Sequence, residues 1–91
     1  MGEARQEVTI VNKRGLHARA SAKFVAAVAQ MEGSDVRVSK DGGSAAGGSI
    51  LGLMMLGAAK GDNVELCVTG LAAEERLAEL VAMIEDGFGE D

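Results

Sequence analysis

The chain has 91 residues, 47% of them hydrophobic and 25% charged, and a formal net charge of −5. That length suits one soluble domain, which buries roughly 60–65% of its unfolded surface and leaves little room for a deep, private active site. The acidic balance, the lack of Trp and Tyr, and only Phe24 and Phe88 as aromatics argue against the clustered cations and stacking platforms of a nucleic-acid binder.

Residues 1–6 are polar and read as a loose end. The stretch EVTIVN (7–12) alternates, with Val8 and Ile10 on one face and Glu7, Thr9 and Val11 on the other, which predicts a strand with one buried side. KRG (13–15) is a turn. Residues 18–31 read as a helix whose apolar stripe is Ser21, Phe24, Val25, Val28 and Met31, with Gly33 as its stop. DVRVS (35–39) is a short strand, KDGG (40–43) a hairpin signal, and SAA (44–46) a weak return strand. A short helix is expected from Ser49 to about Leu56, with Ser49 as its N-cap and Gly57 at its end. NVELCVT (63–69) alternates cleanly. Residues 73–86 form the strongest helix, with Leu77, Leu80, Val81, Ile84 and Phe88 on its apolar face.

The order is therefore β-α-β-β-α-β-α. Strands with two-residue periodicity imply a sheet covered by helices on one face and open to solvent on the other, an α+β fold in one domain over residues 1–91. The single cysteine, Cys67, has no intrachain partner and fits a reducing compartment. No secretory signal pattern opens the chain and no apolar run reaches about 18 residues. A cytoplasmic protein without membrane insertion is expected. With no proline, turns depend on the 13 glycines.

His17, the only histidine, lies in GLHARASAK (15–23) at the joint of the first strand and first helix. A helix start offers N–H groups without intrahelical partners and a dipole that suits an anion. Lys13, Arg14, Arg19 and Lys23 are close in sequence. A neutral imidazole is a good nucleophile toward phosphorus, and transfer of a phosphoryl group needs mainly positioning and charge stabilisation. By position alone, a histidine at a helix end is more often a capping or surface residue. One His and one Cys are too few ligands for a metal site. No cofactor is implied, and no nucleotide-binding loop supports a self-sufficient kinase or phosphatase.

VNKRGLHARASAKFV (11–25) resembles the active-site signature of the histidine-containing phosphocarrier (HPr) family of the bacterial phosphoenolpyruvate-dependent phosphotransferase system. GGSILGLMMLGAAKG (47–61) is similar to that family's regulatory-serine region, and GFGED (87–91) fits its C-terminus. Two separated motifs in the right order make the resemblance specific and favour the nucleophile over the cap for His17. It implies an open-faced β-sandwich, a four-stranded antiparallel sheet with three helices on one side. It further implies that His17 is phosphorylated on Nδ1, that Arg19 assists transfer, and that Ser49 is the target of an HPr kinase/phosphorylase in some bacteria. Enzyme I would be the donor and EIIA-type proteins the acceptors. The alternative is the nitrogen-related NPr branch, whose partners are regulatory. The family usually has proline where this chain has Ala20. Alanine there restores an N–H and frees the backbone slightly, so a small change in rigidity is expected.

In a helix starting at Ser49, Leu53 and Leu56 take the core side, and Ile50, Leu51, Met54 and Met55 cannot all share it. Those four either fill the core of a small domain or stay exposed beside His17 as a docking surface; the resemblance favours docking, and Met adapts to several partners. Ser49 serves as an N-cap, as a phosphorylation site, or as both, since phosphate is favourable at a helix N-terminus.

Overall fold

Strands of two-residue periodicity and helices with one apolar stripe can satisfy each other in a single two-layer packing. The computed structural model, which describes residues 2–90, has that arrangement. Met1 and Asp91, the ends of the polar N-terminal stretch and of the GFGED stretch, lie outside the described residues. The elements are β1 (Gly2–Thr9), α1 (Ala18–Ala29), β2 (Ser34–Lys40), β3 (Gly43–Ala46), α2 (Ile50–Met55), β4 (Asn63–Gly70) and α3 (Ala73–Glu85), followed by a short turn of helix over Gly87–Gly89. The four strands form one antiparallel sheet in the order β1-β4-β2-β3. The architecture is the α+β open-faced sandwich expected from the sequence.

The inward positions of the strands, Val8, Val36, Val38, Ala45, Val64, Leu66 and Val68, are all buried. They meet Ala20 and Phe24 of α1, Leu53 of α2, and Leu77, Leu80, Val81 and Ile84 of α3 in one hydrophobic core. Outward neighbours such as Glu3, Arg5, Arg37 and Glu65 stay exposed. This inward-outward split is the period of a strand expressed as burial. No helix among the described residues is long and apolar enough to cross a membrane.

Three boundaries differ from the sequence reading by two residues or more. β1 begins at Gly2, so residues 2–6 are not a loose end: they pair with β4 in full register, from Gly2↔Gly70 to Thr9↔Asn63. Their polar side chains hide this, because an outer strand is held by its ladder and by cross-strand pairs such as Arg5–Glu65, while only Ala4 and Val8 of β1 are even partly buried. β1 also stops at Thr9 rather than residue 12. Ile10 is still buried and still exchanges backbone hydrogen bonds with Gly61 and Asp62, both at 2.8 Å, but Val11 is exposed and Asn12 is buried. α1 ends at Ala29, capped by Gln30, before Gly33 with φ +83°.

The largest departure is at the C-terminus. Phe88 is buried, but it is not part of the apolar face of α3. The helix ends at Glu85, and Gly87, Phe88 and Gly89 follow with φ of 66°, 58° and 73°. Three consecutive left-handed residues reverse the chain and carry Glu90 toward the start of α1.

Candidate functional site

The loop before α1 is built by two backbone constraints. Asn12 and Gly15 close a turn through Gly15 N–H donating to the Asn12 carbonyl at 3.1 Å. Gly15 has φ +61°, and a Cβ on it would strike the backbone of Ala58 and Ala59, so both the turn and the close approach require glycine. Leu16 N–H then donates to the Ala58 carbonyl at 2.9 Å, pinning this loop to the segment after α2. Ser21, fully buried, donates its hydroxyl to the Leu16 carbonyl at 3.1 Å. Together these contacts determine where the next residue, His17, leaves the surface.

His17 is the N-cap of α1, with extended backbone (φ −74°, ψ 179°), and its carbonyl accepts the first helical hydrogen bond from Ser21 at 2.9 Å. Its ring Nδ1 accepts from the Arg19 backbone N–H at 3.3 Å. A backbone N–H can only donate, so Nδ1 carries a lone pair and the ring proton of the neutral form belongs on Nε2. That nitrogen lies 2.6 Å from Glu90 Oε2. The two side chains keep 22% and 18% of their exposure, so the ring is shielded at one edge and open at the other.

The other carboxylate oxygen of Glu90 accepts from Asn12 Nδ2 at 3.0 Å. Asn12 Nδ2 also donates to the Gly15 carbonyl at 2.9 Å. Both partners are acceptors, which dictates the orientation of the amide and leaves Asn12 Oδ1 buried with no hydrogen-bond partner among the described residues. The Asn12 hydrogen bond, and after it the hydrogen bond and charge of His17, hold the Glu90 carboxyl below its ordinary pKa of 4.5 against the opposing effect of desolvation. Lys23 Nζ donates to the Phe88 carbonyl at 2.7 Å and anchors the left-handed turn.

Around the ring is an open cleft of about 380 Å³, lined by Lys13, Arg14, His17, Arg19, Lys23, Gly89 and Glu90. Four cations and one carboxylate face it, in a chain that is acidic as a whole. Helix N-terminal donors and cations beside an imidazole lone pair form a place where a tetrahedral anion could be bound or taken up.

His17 and Arg19 thus meet in one cleft. Ser49 is at a second place, as N-cap of α2, its Oγ accepting from Gly52 N–H at 2.9 Å. Ile50, Leu51, Met54 and Met55 are all exposed, up to 69% for Leu51 and 77% for Met55, while Leu53 is fully buried and Leu56 half-buried. None of the four lines the His17 cleft; they occupy the neighbouring helix, which packs on α1 and β3. The sequence reading missed Asn12, Lys23 as an anchor, and Glu90. A Gly-Phe-Gly run after a helix was the available sign of a reversal, but nothing local said what the reversed chain would reach.

The family model described as "PTS HPr component phosphorylation site" matches residues 4–86. The phosphocarrier protein HPr of Neisseria meningitidis is 45% identical over 86 residues, covering 94% of this chain and 96% of that protein. The phosphocarrier protein NPr of Escherichia coli is 39% identical over 90 residues, covering 96% of this chain and 97% of its own. Among solved structures, an HPr from Thermoanaerobacter tengcongensis superposes with a TM-score of 0.88 at 40% identity, over 100% of this chain and 99% of that one.

Proposed function

The chain belongs to the HPr family of phosphotransferase-system phosphocarriers, and from that premise we propose that His17 takes a phosphoryl group on Nδ1 and hands it to a second protein. The observation that carries this reading is the Arg19 N–H directed at Nδ1, which leaves that nitrogen with the lone pair at the mouth of a cationic cleft. The lone pair turns from the Arg19 N–H to phosphorus as the donor's bond to phosphorus breaks and its electron pair leaves with the donor, which frees that N–H for a phosphoryl oxygen. Helix N-terminal N–H groups and the Arg19 guanidinium then hold the phosphoryl oxygens. Enzyme I is the donor in this reading and EIIA-type proteins are the acceptors. The protein is half substrate and half catalyst, because its partners complete the site.

Docking falls to the exposed residues Ile50, Leu51, Met54 and Met55 on α2. Their bare apolar surface close to a charged cleft supports this assignment. Phosphorylation of Ser49 by an HPr kinase/phosphorylase would place a dianion at the edge of that apolar contact and weaken it. A second reading, favoured by the full-length match to an NPr, is a regulatory carrier that signals by docking partners according to its phosphorylation state. The two separate by the rate at which the sugar-branch and nitrogen-branch forms of Enzyme I load the protein.

Incubation with phosphoenolpyruvate and Enzyme I tests the common core of both. Mass spectrometry is expected to find one acid-labile phosphoryl adduct on the wild type and none on His17→Ala. Absence of an adduct on the wild type, with an Enzyme I proven active on another carrier, refutes the proposal.

A further inference from the structure

The turn after α3 includes a backbone conformation that its own residues do not all favour. Phe88 takes φ +58°, a left-handed conformation that is unfavourable for a non-glycine residue. Burial of its ring and the Lys23 hydrogen bond to its carbonyl hold it there. What the turn delivers is Glu90, with one oxygen on His17 Nε2 and the other on Asn12 Nδ2. Asn12 in turn leaves its own Oδ1 buried and unpaired while its amide nitrogen serves Glu90 and Gly15. Two locally unfavourable features, a left-handed phenylalanine and an orphaned amide oxygen, therefore converge on one contact with the ring.

We propose that Glu90 is a positioning residue for His17: its carboxylate holds the proton on Nε2, keeps the lone pair on Nδ1 facing the cleft, and balances the charge the ring gains on phosphorylation. The inference rests on the phosphocarrier reading. In the neutral ring, a proton on Nδ1 would face the Arg19 N–H donor, and an unprotonated Nε2 would face a carboxylate. Both contacts would be repulsive, so the two partners select one tautomer together. When Nδ1 forms its bond to phosphorus and the donor departs with the electron pair of the broken bond, Nε2 keeps its proton. The ring is then a cation, and its hydrogen bond to Glu90 becomes a charge-assisted one. In the return transfer the ring leaves phosphorus as a neutral imidazole, with its proton still on Glu90's side. Glu90 touches neither the phosphorus nor the incoming donor; it acts through the ring.

Glu90→Gln removes the charge at nearly constant shape. Gly89→Val keeps the carboxylate and disfavours the left-handed turn (φ +73° at Gly89) that delivers it. Two measurements apply to both variants. Nitrogen-15 shifts of the His17 ring read the tautomer with no donor present, a quantity that a purely structural role for Glu90 would not move. Phosphorylation by phosphoenolpyruvate and Enzyme I reads the rate. The wild type is expected almost wholly in the Nε2–H form. The variants are expected to show a mixed population and, for Glu90→Gln, loading slowed about tenfold, the scale of losing an orienting contact to a reacting group. A wild-type ring with its proton on Nδ1, or a Glu90→Gln variant with unchanged tautomer and rate, overturns the proposal. Failure of the wild type and both variants alike to accept phosphate from an active Enzyme I is a different result: it removes the carrier reading on which the proposal stands, and the proposal with it.

Discussion

Ser49 combines two demands on one hydroxyl. Its Oγ accepts from Gly52 N–H, capping a helix of only six residues, and removing such a cap costs about 1 kcal/mol. The same atom is the proposed phosphate acceptor. The two roles predict different outcomes for two substitutions. Ser49→Ala should lower stability in urea unfolding by about 1 kcal/mol and leave loading by Enzyme I near the wild-type rate. Ser49→Asp keeps a capping oxygen, so its stability should stay close to wild type while loading slows. A Ser49→Asp variant loaded as fast as wild type would separate this serine from docking. Ala20 illustrates a quieter residue effect. It is fully buried in the first turn of α1, where proline would forfeit only a donor that the helix itself does not need. That makes the change from the family's usual proline compatible with the same helix start.

On the scale of the element, α2 has two unlike faces. Leu53 is fully buried in the core, whereas Leu51 and Met55 project into solvent. Truncating the buried side should cost about 2–5 kcal/mol, and truncating the exposed side less than about 0.5 kcal/mol. Leu53→Ala is therefore expected to destabilise the protein strongly, and Met55→Ala to leave its melting temperature almost unchanged while slowing loading by Enzyme I. Equal stability losses for the two would mean that Met55 is packed rather than presented. A loading rate untouched by Met55→Ala would remove it from the docking surface. Such a short helix could not hold its shape alone; its packing on α1 and β3 is what presents the apolar residues.

Across the whole molecule, the site is assembled from places far apart in the chain. Residues 12–23, the Ala58 carbonyl and Glu90 come together only because the sheet order places β1 beside β4 and α3 runs back past α1. Closure of the turn over residues 87–90 onto this cluster makes it visible in acid stability. The Glu90 carboxyl lies below its ordinary 4.5, held by Asn12 first and then by His17 and Lys23. A carboxyl depressed by folding contributes stability that is present above the unfolded value and lost as pH falls through the folded one. The wild type should then melt higher than Glu90→Gln at neutral pH, and the gap should shrink as pH drops below about 4.5. A gap that persists unchanged in acid would show that the charge of Glu90 is not its source.

The sequence by itself determined the order of elements, the two-layer architecture, the buried faces of the strands and of α1, and the placement of His17 at a helix start. Each of these depends on neighbours within a few residues: alternation in NVELCVT, the apolar stripe around Phe24, the capping serine before Ile50. The sequence also placed Arg19 beside His17, since an N-cap side chain meets the backbone N–H two residues on. Only the tertiary structure decided that residues 2–6 form a strand, because they are held by pairing with residues sixty or more positions away. Only it decided that Ile50, Leu51, Met54 and Met55 all lie exposed, since the number of apolar residues a core accepts depends on the area of the sheet beneath it. And only it brought Glu90 to the imidazole. A left-handed turn could be read in Gly-Phe-Gly, but its target follows from where α3 ends relative to α1, a distance that no local pattern encodes.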